Sequence, residues 1–276
     1  MISNETNAQI KELVKLQKNA RHRRKTKCFV AEGIKLVKEA ASYGRLQKVY
    51  MSEKLYEQEW GGRSQDEILA QLGGVQAELV SDSVFAQIAD TVTPQGILGI
   101  VRMPEYSLEE ILDSDKKLFL LLDDLRDPGN LGTILRTSEG AGMSGVILSK
   151  ESVDLFNPKV VRATMGAIFR VPFVYVENLP QVIGEMKQRG IAVYGTLMEG
   201  SRIYDRIDYR QPSGIVIGNE ANGISQKVID ELTERIRIPM EGSLESLNAA
   251  VAAAVVMYEA ARQRHLNNNK VLKKTV

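Results

Sequence analysis

The run LFLLLDD, residues 118–124, opens with five large apolar residues and no polar interruption. A strand built from such a run needs cover on both faces, which an exposed sheet cannot supply. Similar short runs recur downstream. GVILSK, VPFVYV, IAVYGTLM, GIVIGNE and IRIPM read as strands. Between them NLGTILRTSEGAG, NPKVVRATMGAIF and VIGEMKQRG read as helices, and the Ala-rich ESLNAAVAAAVVMYEAARQRH as a long final one. Strand–helix alternation of this kind predicts an α/β domain over residues 117–265, with a mostly parallel sheet and helices on both faces.

The chain of 276 residues is long enough for a second unit. Residues 1–102 read as a small α/β domain. NAQIKELVKLQ has the helical period, with Ile10, Leu13, Val14 and Leu16 on the apolar side. FVAEGIKLVKEAASYG follows as a helix with Phe29, Ile34, Leu36, Val37 and Ala40 inward and Gly44 as its stop. LQKVYMS, AELVS and GILGIVRM read as strands, EILAQLGG and DSVFAQIAD as helices. The polar stretch PEYSLEEILDSDKK predicts a linker near 103–116, and residues 266–276 a flexible basic tail. Removing residues 1–102 is expected to spare the fold of the second domain.

Charge is unevenly spread. The net charge is only +1, yet Lys18, Arg21, Arg23, Arg24, Lys25 and Lys27 crowd one short stretch. A neutral chain with such a block can hold a polyanion locally. Few aromatics interleave with it, so phosphate contacts are favoured over base stacking. The single cysteine, Cys28, excludes an internal disulfide, and no Cys/His cluster offers a metal site. The N-terminus lacks a signal-peptide core, and no apolar stretch is long enough to span a membrane. These features predict a cytoplasmic protein.

Three segments stand out. DDLRDPGNLGTILRTSEGAG (123–142) is a strand end, a turn and a helix start, in which Asn130 can cap the helix and Arg136 lies within it. It is neither a dinucleotide fingerprint nor a P-loop. GIVIGNEANGIS (214–225) runs a β-branched strand into Gly218, Glu220 and Gly223, at a strand's carboxyl end where open α/β sheets bind ligands. IPMEGSLESLNAAVAAAV (238–255) sets Ser246 and Asn248 across a helix start whose free N–H groups can take an anion. Each segment alone also suits an ordinary capped helix or turn.

Together, and in this order, the three segments resemble the motifs of the SpoU family of RNA ribose methyltransferases, in the SpoU–TrmD class. The first is Asn130, Gly132 and Arg136; the second Gly218, Glu220 and Gly223; the third Pro239, Met240, Ser246, Leu247 and Asn248. The N-terminal domain, through Phe29, Glu32 and Gly33, resembles the family's substrate-binding domain, which is similar to a kink-turn-binding ribosomal-protein fold. The resemblance implies a C-terminal α/β-knot with a trefoil-knotted sheet. It also implies a homodimer with its active site at the subunit interface, and S-adenosylmethionine as cofactor without a metal. The cofactor would lie against Gly195, Thr196 and Leu197, against Gly218, and against Ile238 and Leu247. Arg136 would assist loss of the 2′-hydroxyl proton, as electrostatic stabiliser or as base. Asn130, Glu220, Ser246 and Asn248 would complete the catalytic set. The substrate implied is RNA, with ribosomal RNA preferred. A transfer-RNA ribose methyltransferase, and a non-catalytic RNA-binding dimer of the same fold, are the alternatives.

Overall fold

The computed structural model describes residues 1–198 and 202–267, so most of the stretch read as a basic tail lies outside the described residues. The first part of the chain forms α1 (Ala8–Lys18), α2 (Ala20–Thr26), β1 (Cys28–Glu32), α3 (Ile34–Ser42) and β2 (Leu46–Ser52). Then come α4 (Glu53–Leu55) running into a π turn at Tyr56–Trp60, α5 (Gln65–Gln71), β3 (Ala77–Val80), α6 (Asp82–Ile88) and β4 (Ile97–Arg102). The second part begins with α7 (Leu108–Leu112), β5 (Leu118–Leu122), α8 (Pro128–Ala141) and β6 (Gly145–Ser149). It continues through α9 (Pro158–Ala163), β7 (Phe173–Val176), α10 (Leu179–Gln188), β8 (Ala192–Thr196) and β9 (Arg202–Ile203). It ends with β10 (Ser213–Ile217), α11 (Gln226–Ile229), β11 (Glu234–Arg237) and α12 (Ala249–Asn267). The polar stretch at 103–116 is ordered: Ser107 and Glu110 close a capping box, and α7 buries Ile111 and Leu112.

The chain divides into two compact units. The first comprises Met1–Pro104 and, from far along the chain, Asp154–Phe169. Its sheet has the order β1-β4-β2-β3, with β4 antiparallel to both neighbours and β2 parallel to β3. Ile10, Leu13 and Leu16 of α1 pack with Val30, Tyr50, Phe85 and Ile100 in its core. The excursion 154–169 supplies Phe156 and Phe169, whose rings lie 5.0 and 6.2 Å from Phe29.

The second unit contains Glu105–Val153 and the described residues from Arg170 on. Seven strands pair in the order β7-β6-β5-β10-β8-β11-β9, and every pairing is parallel. β5, β6 and β10 are buried at every position, as the unbroken apolar runs require. Alternation along β5 sends Phe119 and Leu121 into a cluster with Ile183 and Met186 of α10 and Ile111 of α7. On the other layer α8 packs against α12, which also touches β10. Late in sequence, β10 lies between the early β5 and β8, so strand order reverses direction at β5 and β10. Ligands of open parallel sheets bind at such a switch, beyond the strands' carboxyl ends.

Candidate active site at the carboxyl ends of the parallel strands

All three segments singled out in the sequence leave the sheet at that edge. β5 ends at Leu122 and the chain turns through residues 123–127 before α8 begins. Asp127, not Asn130, caps α8: its carboxylate accepts the backbone N–H of Asn130 at 2.8 Å, and Pro128 takes the first helical position, where no N–H is needed. Asn130 is thereby freed for a tertiary role. The Asp-Pro pair was the local signal for this start.

Glu220 is the hub. Its carboxylate accepts the backbone N–H groups of Arg126 (3.1 Å) and Asp127 (2.9 Å) and the side-chain amide of Asn130 (2.9 Å). Burial pushes its pKa up, but the hydrogen bonds from Asn130, Asp127 and Arg126 outweigh that and hold it below the usual carboxylate value. The amide oxygen of Asn130 in turn accepts from Nδ2 of Asn248 at 3.0 Å. The Asn248 oxygen accepts the N–H groups of Ala250 and Val251, which makes it the cap of α12. One residue from each segment thus joins a single chain of hydrogen bonds.

Residues the sequence reading passed over tie the second segment down. Asp123, buried at 7% exposure, accepts the N–H of Ser225 at 2.7 Å. Asn219 donates to the carbonyl of Asp124 at 2.8 Å, while its oxygen accepts the N–H groups of Ala221 and Asn222. Two acids following an apolar run were the available signal. Gly218 is required by this turn: a Cβ there would lie 2.2 Å from the carbonyl carbon of Gly223.

The arrangement borders a cavity of about 1010 Å³, at the upper limit for ligand and cofactor clefts. Thr196, Leu197, Gly218, Ile238, Ser246 and Leu247 line it, together with Glu220 and Asn248. Three expected site residues do not: Asn130, which reaches the lining only through its bonds to Glu220 and Asn248, Gly195 and Arg136. Gly195 belongs inside the packing, since a Cβ there would meet Leu232 Cδ1 at 2.3 Å. Arg136 is exposed on α8 and is not among the lining residues. In the first unit, Lys18, Arg21, Arg24, Lys25 and Lys27 are exposed. Arg23, expected with them on an RNA-contacting face, is 3% exposed. Its guanidinium binds Asp154 at 2.6 Å and the carbonyls of Leu16 (2.7 Å) and Gln17 (2.8 Å), so all three nitrogens are engaged inside the first unit and burial keeps them from a phosphate.

Residues 117–258 match the SpoU rRNA Methylase family, and residues 7–99 match the MRM3-like substrate binding domain. The chain is 35% identical over 258 residues to the 23S rRNA (guanosine(2553)-2′-O)-methyltransferase RlmP of Bacillus subtilis (strain 168). That match covers 93% of this chain and 97% of RlmP. The AdoMet-bound rRNA methyltransferase of Sinorhizobium meliloti superposes with a TM-score of 0.83 at 33% identity, over 95% of this chain and 97% of that one. The SpoU methyltransferase AviRb of Streptomyces viridochromogenes, in complex with the cofactor AdoMet, gives 0.81 at 27% identity, over 94% and 100%. Motif residues drawn together at one cavity, a sheet matched by these structures and a family model spanning the second unit agree, and the chain belongs to the SpoU rRNA methylase family.

Proposed function

We propose that this chain transfers the methyl group of S-adenosylmethionine to a ribose 2′-hydroxyl of ribosomal RNA. The observation that carries the reading is the link Glu220–Asn130–Asn248, which joins the three family segments around one cavity beyond parallel strands. The similarity to RlmP along 97% of that protein favours 23S ribosomal RNA and a cytoplasmic setting.

The residues present fit the cofactor. Leu197, Ile217, Ile238 and Leu247 offer apolar walls to a purine ring, and Asn222, Glu245 and Ser246 offer polar atoms to a ribose and an amino-acid moiety. When bound, S-adenosylmethionine supplies a methyl group already activated by its sulfonium charge. What remains for the protein is alignment of the 2′-oxygen and management of its proton. Arg136 carries that second task. A free guanidinium has a pKa above about 12 and is a poor base, so its part is to stabilise the developing alkoxide while holding the adjacent phosphate. Glu220, Asn130 and Asn248 keep the loops in place, and Ser246 faces the cavity to position ribose or cofactor.

Arg136 lies on the exposed side of α8 and outside the cavity lining, which supports a homodimer in which a second copy brings its Arg136 to this site. The half-exposed Val251 and Tyr258 on the neighbouring α12 give such a dimer an apolar contact. The insertion of β10 between β5 and β8 supports the trefoil knot of the class. Lys18, Arg21, Arg24, Lys25 and Lys27 provide phosphate contacts in the first unit.

The test is transfer of labelled methyl from S-adenosylmethionine to purified ribosomal RNA and, separately, to transfer RNA, with Arg136→Ala as control. Label in ribosomal RNA that disappears in the variant is the expected result. Label confined to transfer RNA would overturn the substrate. S-adenosylmethionine binding with no transfer to either RNA, or to immature ribosomal particles, would favour the non-catalytic alternative.

A further inference from the structure

The hydrogen bonds from Glu220 to α12 run in one direction. At one end the backbone N–H groups of Arg126 and Asp127 need acceptors; at the other, so do those of Ala250 and Val251. Two amides lie between. Asn130 donates to Glu220 and accepts from Asn248, and Asn248 donates to Asn130 and accepts from the helix. An amide can be turned over, with donor and acceptor exchanged, at almost no cost in shape. A carboxylate cannot, because when ionised it only accepts. If Asn130 turned over, its oxygen would face the carboxylate and its NH2 would face that of Asn248. If Asn248 turned over, its NH2 would face the free N–H groups of α12.

From this geometry we propose that the negative charge of Glu220 sets the direction of the whole chain, making Glu220, Asn130 and Asn248 positioning residues that lock the three loops and the start of α12 in one arrangement around the cavity. The inference rests on reading that cavity as the methyl-donor site. It extends the reading by assigning Glu220 a task that requires its charge and no contact with the reacting atoms.

A double-substitution cycle tests it. In Glu220→Gln, the new NH2 confronts one of the backbone N–H groups it should accept. In Asn130→Asp, two carboxylates face each other across 2.9 Å. Combined, the glutamine NH2 takes the place of Oε1 and donates to the new carboxylate at 130, which still accepts from Asn248, while its oxygen takes the place of Oε2 and still accepts the Arg126 N–H; the Asp127 N–H, on exposed backbone, turns to water. The charge moves one place along and the direction survives. Each single substitution is expected to lower the melting temperature of the cofactor-free protein and to weaken S-adenosylmethionine binding, read by calorimetry, about tenfold or more. The double variant should melt and bind S-adenosylmethionine no worse than Glu220→Gln, and so well above Asn130→Asp, because contacting sites are strongly non-additive. Methyl transfer to RNA should follow the same order.

Additive losses in the double variant would overturn the proposal. Recovered melting and cofactor affinity without recovered transfer would overturn it too, by making Glu220 a direct participant in the chemistry. If the wild-type protein bound no S-adenosylmethionine, the functional reading would fall, and the melting temperatures would still decide the direction of the chain.

Discussion

Arg23 and Arg136 carry the same guanidinium into opposite settings. Arg23 is buried, with each nitrogen of its fork donating to Asp154 or to the carbonyls of Leu16 and Gln17. Removing one partner of a buried pair strands the other charge, so Arg23→Ala should cost about 3–5 kcal/mol in urea unfolding. Arg136 is exposed, and Arg136→Ala should leave stability within about 0.5 kcal/mol. Methyl transfer should nonetheless fall by about 10²–10³, the usual cost of removing a transition-state donor. Transfer retained in Arg136→Ala would remove that residue from the mechanism. Glu220 has its own signature. Its carboxyl is held below the ordinary value of 4.5 in the folded protein, so its stabilising contribution is full above that pH and disappears as pH falls through the lowered value. The stability gap between wild type and Glu220→Gln should close on acidification along that course. A gap unchanged down to the acid limit of folding would mean that the hydrogen bonds owe nothing to the carboxylate charge.

Among the elements, the turn after β10 and the helix α8 both belong to the site's framework, and a glycine in each has a different tolerance. Gly218→Ala would drive a Cβ to within 2.2 Å of Gly223 backbone, which cannot yield without opening the 219–223 turn. We expect about 1–3 kcal/mol of destabilisation and loss of cofactor affinity. Gly140→Ala meets only the hydroxyl end of Tyr258, at 2.8 Å, and a side chain that is half exposed can swing aside. It should therefore melt close to wild type; equal losses in the two variants would contradict this account. α2 presents a second case. A seven-residue helix with Arg21, Arg24 and Lys25 outward is held by Arg23 inward. Substituting one outward residue by Ala should flatten the dependence of RNA affinity on salt by about 0.7 for each phosphate that is no longer neutralised. An unchanged slope would place the phosphate-binding groups elsewhere.

At the scale of the whole molecule, the two units share the chain in an interleaved way. The excursion Asp154–Phe169 leaves the second unit after β6 and belongs to the first. It places Phe156 and Phe169 against Phe29, Asp154 against Arg23, and Arg162 against Asp90 at 2.6 Å. Truncation before residue 105, which the sequence alone suggested would spare the second domain, would strip every one of these partners from the excursion. The truncated chain should precipitate or melt well below the full chain. A further version, with 154–169 replaced by a short Gly/Ser linker, should regain a cooperative transition. Cooperative melting of the simple truncation near the full-length temperature would refute the interleaving.

Much of this protein follows from local pattern. The apolar runs at 118–122 and 213–217 require strands covered on both faces, and both are completely buried. The helical periods of α1 and α10 put Ile10, Leu13, Ile183 and Met186 in cores. The three family segments, with Asn130, Glu220 and Asn248 among them, stood out in the sequence only through their combination and order, which resemble the SpoU motifs, since each turn or cap alone suits an ordinary loop. Tertiary structure decided what depends on residues far apart: that β10 enters between β5 and β8, that Arg23 faces Asp154 and not solvent, that Asn130 yields the helix cap to Asp127 and spans to Glu220 and Asn248. A cap, a solvated charge and a tertiary hydrogen bond draw on the same polar side chains, and which one a residue adopts is set by the partners that the folded chain brings within about 3 Å.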